Sequence, residues 1–81
     1  MRIYVLFFAV ARDRAGVSTD TVEIEDGATV AVLFARLAVM HPALNDVLPA
    51  CRAAVDETFA PQATQLTDGQ TVAVLPPVSG G

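Results

Sequence analysis

The sequence predicts an α+β fold: a mixed sheet of about five strands with one main helix packed across one face. Three observations support this. Runs rich in β-branched and aromatic residues recur at the start, middle and end of the chain, which is the composition of strands. Between those at the start and those in the middle, one segment carries its apolar residues at helical spacing. Asp-Gly pairs and other turn signals separate the pieces. The 81 residues suit one domain, residues 1–81, and the 53% hydrophobic content is ample for one core.

The elements follow in order. Residues 2–10 (Arg2 to Val10) read as the first strand, and Arg12 to Gly16 as a polar turn. Residues 19–25 alternate polar and apolar positions and make a second strand with one wet face. Asp26-Gly27 turns the chain, and Thr29 is a good N-cap for a helix over Val30 to Met40, with Val30, Leu33, Phe34, Leu37 and Met40 along one stripe. His41 precedes Pro42 and is biased away from helix, so the helix stops there. Leu44, Val47 and Leu48 allow one short helical turn. Arg52 to Val55 reads as the third strand, Asp56-Glu57 as its turn and Thr58 to Ala60 as a short return. A turn at Leu66 to Gln70 leads to the last strand, Thr71 to Leu75.

Side chains alternate across a strand, so one of two apolar sets faces the helix, and whichever is internal the other is left over. With Ile3, Val5, Phe7 and Ala9 towards the helix, Tyr4, Leu6 and Phe8 point the other way; Val72 and Val74 face the core and leave Ala73 and Leu75 outside. The outer face is therefore apolar too, and one helix cannot cover it. Leu6, Phe8, Ala73 and Leu75 are expected to form a docking patch.

Charge and cysteine content exclude several classes. Nine acidic residues against five arginines and no lysine give a net charge of −4, with no basic patch to neutralise a phosphate backbone, so nucleic acid is not expected as a partner. An acidic domain is suited to a basic protein surface. The single Cys51 excludes an internal disulfide and cannot alone hold a metal, so no metal site is expected and a reducing, cytoplasmic setting follows most simply. Ala9-Val10-Ala11 resembles a signal-peptidase site, but Met1-Arg2 is too short an n-region. No run approaches the roughly 18 apolar residues of a membrane span.

The sequence closes Pro76-Pro77-Val78-Ser79-Gly80-Gly81. Paired prolines favour an extended path, so the six residues 76–81 can act as a flexible-tipped probe reaching about 20 Å. Glycines at the tip fit a narrow tunnel and leave the α-carboxylate unshielded. Gly81 is the candidate reactive residue, with Gly80, Ser79, Val78, Pro77 and Pro76 threading it.

Strand, strand, helix, strands and a Gly-Gly tail resemble the ubiquitin-like β-grasp fold. Val5-Leu6-Phe7-Phe8-Ala9, Ala54-Val55-Asp56-Glu57, and Leu66-Thr67-Asp68-Gly69-Gln70 through the tail resemble the small subunits of molybdopterin synthase over essentially the whole chain. The resemblance implies that a separate ATP-using enzyme adenylates the Gly81 carboxylate, which is converted to a thiocarboxylate. The tail then delivers that sulfur into a large subunit, where it builds the dithiolene of molybdopterin. It implies a heterotetramer of two small and two large chains, no bound cofactor, and a non-catalytic, sulfur-donating role for this chain. It also implies that Phe8, Phe59 and Leu75 touch the large subunit. Asp56 stands where such proteins often carry Asn, which bears on the hydrogen bonding of that turn. Alternatives are a sulfur carrier for thiamine or cysteine biosynthesis, a ubiquitin-like protein modifier, or a plain binding module with an inert tail. His41 is expected to cap or be solvated and Cys51 to be a small buried hydrophobe rather than a sulfur shuttle. Arg12 and Arg14 either meet an activating enzyme's acidic surface or are simply solvated.

Overall fold

The computed structural model describes residues 1–77. Five strands form one mixed sheet: β1 (Arg2–Phe7), β2 (Thr19–Glu23), β3 (Arg52–Val55), β4 (Thr58–Ala60) and β5 (Thr71–Leu75), in the spatial order β2-β1-β5-β3-β4. The central pair β1 and β5 is parallel; the other three pairs are antiparallel. Helix α2 (Val30–Met40) covers one face.

Alternation in the strands produces the core. Ile3, Val5 and Phe7 of β1 and Val72 and Val74 of β5 are buried against Val30, Leu33, Phe34 and Leu37 of α2, as their spacing predicts. Met40, the last member of the expected stripe, lies outside this core and is exposed. The Thr29 hydroxyl accepts from the Val32 N–H at 3.3 Å, while Val30 and Ala31 donate to the carbonyls of Thr64 and Gln62. The crossing loop thus satisfies donors that the first helical turn cannot pair internally. Two short 3-10 turns, Pro42–Leu44 and Leu48–Ala50, bury Leu44 and Leu48 and return the chain to β3.

The structure corrects the reading of residues 2–16. The first strand ends at Phe7, not Val10, and a second helix, α1 (Ala9–Ala15), replaces the expected turn. Ala9 therefore does not face the core; it opens α1, exposed, with φ 51°. Three alanines and two arginines among the seven residues favour helix more strongly than strand. Gly16 ends the helix in the left-handed region at φ 78°, its N–H donating to the Arg12 carbonyl. The expected main helix is thus joined by a second, short one, and the second strand ends at Glu23 rather than Glu25.

Candidate functional site: the outer face of the sheet

The strand register draws a continuous row across the outer face. Leu6 of β1 pairs with Ala73 of β5, Ala73 with Ala54 of β3, and Ala54 with Phe59 of β4. At the usual inter-strand spacing this row spans about 14 Å. Two alanines lie at its centre between larger side chains, so the face is a trough rather than a ridge. An open groove there is lined by Leu6, Phe8, Ala54, Ala73 and Thr71, with Asp56 and Glu57 at one end.

Each expected patch residue among the described ones has a definite place here. Phe8 is 45% exposed and Phe59 64% exposed, while Leu6, Ala73 and Leu75 are half-buried. Continuing the β1–β5 register by one residue brings Phe8 level with Leu75, after which Pro76 begins the tail. The apolar row and the root of the tail therefore adjoin. Pro76 and Pro77 lie at the end of the described chain; Val78, Ser79, Gly80 and Gly81 lie outside the described residues.

Residues beyond the expected patch complete the face. Ala54 forms its floor, and Tyr4, 45% exposed, lies beside Thr71 on the same side. The Arg52 guanidinium stacks over the Phe59 ring at 5.0 Å, and the Arg52 backbone pairs across the sheet with Leu75. This fixes a cation at the tail root through a contact favoured by the ring's negative face. The alternation Arg52-Ala53-Ala54 could have flagged Arg52 and Ala54 as sharing a face.

Backbone strain gathers around the groove. The non-glycine residues with positive φ among those described are Ala9, Asp56 and Glu57. Asp56 and Glu57 line the groove, and Ala9 follows Phe8, which also lines it. Phe8 itself occupies the N-cap of α1 with no side-chain capping bond, a position better filled by Asp, Ser or Asn. Strain and poor capping at one site mark a place where local stability yields to another requirement.

The Asp56 turn is well bonded despite its departure from Asn. Its carboxylate accepts from the Thr71 N–H at 3.0 Å, and its own N–H donates to the Thr71 carbonyl at 2.8 Å. His41 caps α2 through its N–H to the Leu37 carbonyl, and its Nε2 lies 2.8 Å from Asp20 Oδ2 with its ring edge-on to Phe7. Cys51 is 8% exposed and donates its thiol to the Val47 carbonyl; burial pushes its pKa up, which keeps it protonated and quiet. Arg14 pairs with Asp46 at 2.7 Å, whereas no ion pair to Arg12 is found among the described residues. No group of side chains among the described residues could hold a metal, and no helix among them is long and apolar enough to cross a membrane.

Comparison with known proteins matches the ThiS family over residues 5–81. The Chlamydomonas reinhardtii molybdopterin synthase sulfur carrier subunit is 43% identical, with all of both chains covered. Its Mycobacterium tuberculosis counterpart is 33% identical, covering 100% of this chain and 99% of the relative. Among solved structures, SAMP1 from Haloferax volcanii superposes with a TM-score of 0.90 at 27% identity, with both chains covered fully. Two more distant structures speak to the fold alone. A complex of subunits 1 and 2 of the Helicobacter pylori molybdopterin-converting factor matches with TM-score 0.71 at 23% identity, covering both chains fully. Caldiarchaeum subterraneum ubiquitin matches with TM-score 0.67 at 17% identity, covering 100% of this chain and 98% of that one. The architecture is the ubiquitin-like β-grasp.

Proposed function

The chain belongs to the ThiS family, and from that premise we propose that it is the sulfur-carrier subunit of a molybdopterin synthase. The observation that carries the reading is the apolar row Leu6-Ala73-Ala54-Phe59, open to solvent and adjoining the strand that leads into Pro76-Pro77. A partner seated on that row would receive the tail along a path set by β5. The relatives named as molybdopterin synthase sulfur carrier subunits support a large subunit of that synthase as the partner. The assembly is two small and two large chains, in the cytoplasm.

The chemistry resides at Gly81. Its carboxylate is a poor electrophile. An ATP-dependent partner joins it to AMP, releasing pyrophosphate, and a sulfur donor then displaces AMP to leave a thiocarboxylate. That sulfur is a soft nucleophile, which the tail delivers to the pterin precursor in the large subunit. This chain contributes position: it converts an encounter in solution into an intramolecular approach. It binds no cofactor itself.

The test is mass spectrometry of the purified protein after incubation with its activating enzyme, ATP and a sulfur donor. The expected result is one sulfur gained for one oxygen at Gly81, and conversion of the pterin precursor once a large subunit is added. An unchanged mass would overturn the reading in favour of a plain binding module. Sulfur loading with no pterin conversion would redirect it to thiamine or cysteine biosynthesis. The likeness to Haloferax volcanii small archaeal modifier protein 1 favours one second reading, a protein modifier, which the same experiment run with cell extract would reveal as conjugates of higher mass.

A further inference from the structure

We infer, building on the sulfur-carrier reading, that the folded chain is inert towards its own activated terminus, because every strong nucleophile it could turn on a Gly81 acyl group is either missing from the sequence or sequestered by the fold. An acyl-adenylate is attacked by amines and thiolates. An amine nitrogen would form an amide bond to the Gly81 carbonyl carbon, the carbon–oxygen bond to AMP would break, and the amine proton would pass to water. A thiolate would do the same to give a thioester. Either product would consume the terminus before sulfur reached it.

Three separate features close these routes. The sequence has no lysine; all five of its basic side chains are arginines, whose guanidinium stays protonated and is a poor nucleophile. The Met1 ammonium donates to the Ile24 carbonyl at 2.6 Å and lies 3.4 Å from Asp26. To attack, it would have to lose a proton and turn the freed lone pair out of the part-buried site where Ile24 and Asp26 hold it. Cys51, the one thiol, is buried with its hydrogen held by the Val47 carbonyl, and burial disfavours the thiolate it would need to become.

The weaker nucleophiles add little. His41 has its Nε2 engaged by Asp20. Hydroxyls need an adjacent base to act, and among the described residues none is hydrogen-bonded to a histidine or carboxylate. Arg52 is exposed and lies cross-strand from Leu75 at the end of β5. A lysine there would restore an amine nucleophile to the surface of the folded chain.

The experiment uses the full chain carrying a C-terminal thioester at Gly81, prepared by thiolysis of an intein fusion, and needs no activating enzyme, sulfur donor or pterin. Failure of the sulfur-carrier reading would leave its result untouched, and the reverse also holds. Folded wild-type protein at mildly alkaline pH is expected to lose the thioester only by hydrolysis to the free acid. Arg52→Lys, and Arg12→Lys on α1, both exposed positions, are expected to yield species one water lighter than the acid or covalent dimers, both stable to hydroxylamine. Wild type in concentrated guanidinium chloride is expected to form them too, through Met1, together with a hydroxylamine-sensitive species through Cys51. Adducts from folded wild type would overturn the inference. So would lysine variants, confirmed folded by circular dichroism, that behave as wild type, or an unfolded chain that gains no adducts.

Discussion

Asp56 shows how a single side chain can hold a turn that its backbone resists. Both Asp56 and Glu57 lie at positive φ, 46° and 72°, the sign required by a two-residue hairpin connection of type I′. Asp tolerates this region better than most residues, and its carboxylate also ties the turn to β5 through the Thr71 N–H. Asp56→Ala loses both advantages and is expected to cost about 1–2 kcal/mol. Asp56→Asn keeps an acceptor and the tolerance, and should fall within about 0.5 kcal/mol of the wild type. Urea denaturation of the two variants checks this, and an alanine variant as stable as the asparagine one would refute it. The turn was legible in the sequence from Asp-Glu between two β-branched runs. The bond to Thr71 was not, because it joins residues 15 positions apart whose proximity depends on β3 and β5 pairing.

At the level of elements, α1 was the segment sequence reasoning misread, for a physical reason. Ala9-Val10-Ala11 continues the apolar character of β1, and only the switch to helix-favouring Ala and Arg with a glycine stop at Gly16 distinguishes the two. The helix buries Ala11 alone, so there was no apolar stripe for periodicity to detect. What anchors it is tertiary: Arg14 bonds to Asp46 at 2.7 Å and to the Ala43 carbonyl at 3.2 Å, tying α1 to the first 3-10 turn. The Arg14 hydrogen bond holds the Asp46 carboxyl below its ordinary range. A carboxyl whose folded pKa is depressed adds stability above its unfolded value and loses it as pH falls through the folded one. Arg14→Ala should therefore lose stability relative to wild type at neutral pH, with the gap narrowing as the solution is acidified below the usual carboxylate range. Thermal unfolding as a function of pH measures this, and a gap that stays constant would count against the pair. By contrast β1, α2 and β5 were legible, because Ile3, Val5 and Phe7, the α2 stripe, and Val72 and Val74 each repeat at the period of their element.

For the molecule as a whole, one face of the sheet packs the core and the other is the proposed docking face, and Phe8 separates the two. It lies on the outer face, half exposed, and also occupies the α1 N-cap without capping it. Phe8→Asp should weaken binding to the larger subunit by roughly tenfold or more, as expected for removing a central aromatic anchor. The isolated fold should hold its stability or gain up to about 1 kcal/mol, since Asp is a far better N-cap. Titration calorimetry and denaturation, run side by side, separate the effects; an unfolded monomer would reverse the assignment of faces. The apolar outer face was legible because period two leaves a set that one helix cannot cover, while its floor at Ala54 and the Arg52–Phe59 stack emerged only with the register. The tail springs from β5, the middle strand, held by a parallel neighbour on one side and an antiparallel one on the other. A tug along that strand would load both ladders at once, in shear, instead of peeling bonds away one after another as it would from an edge. Withdrawing the tail from a tight channel would therefore pull on a strand gripped along both of its edges.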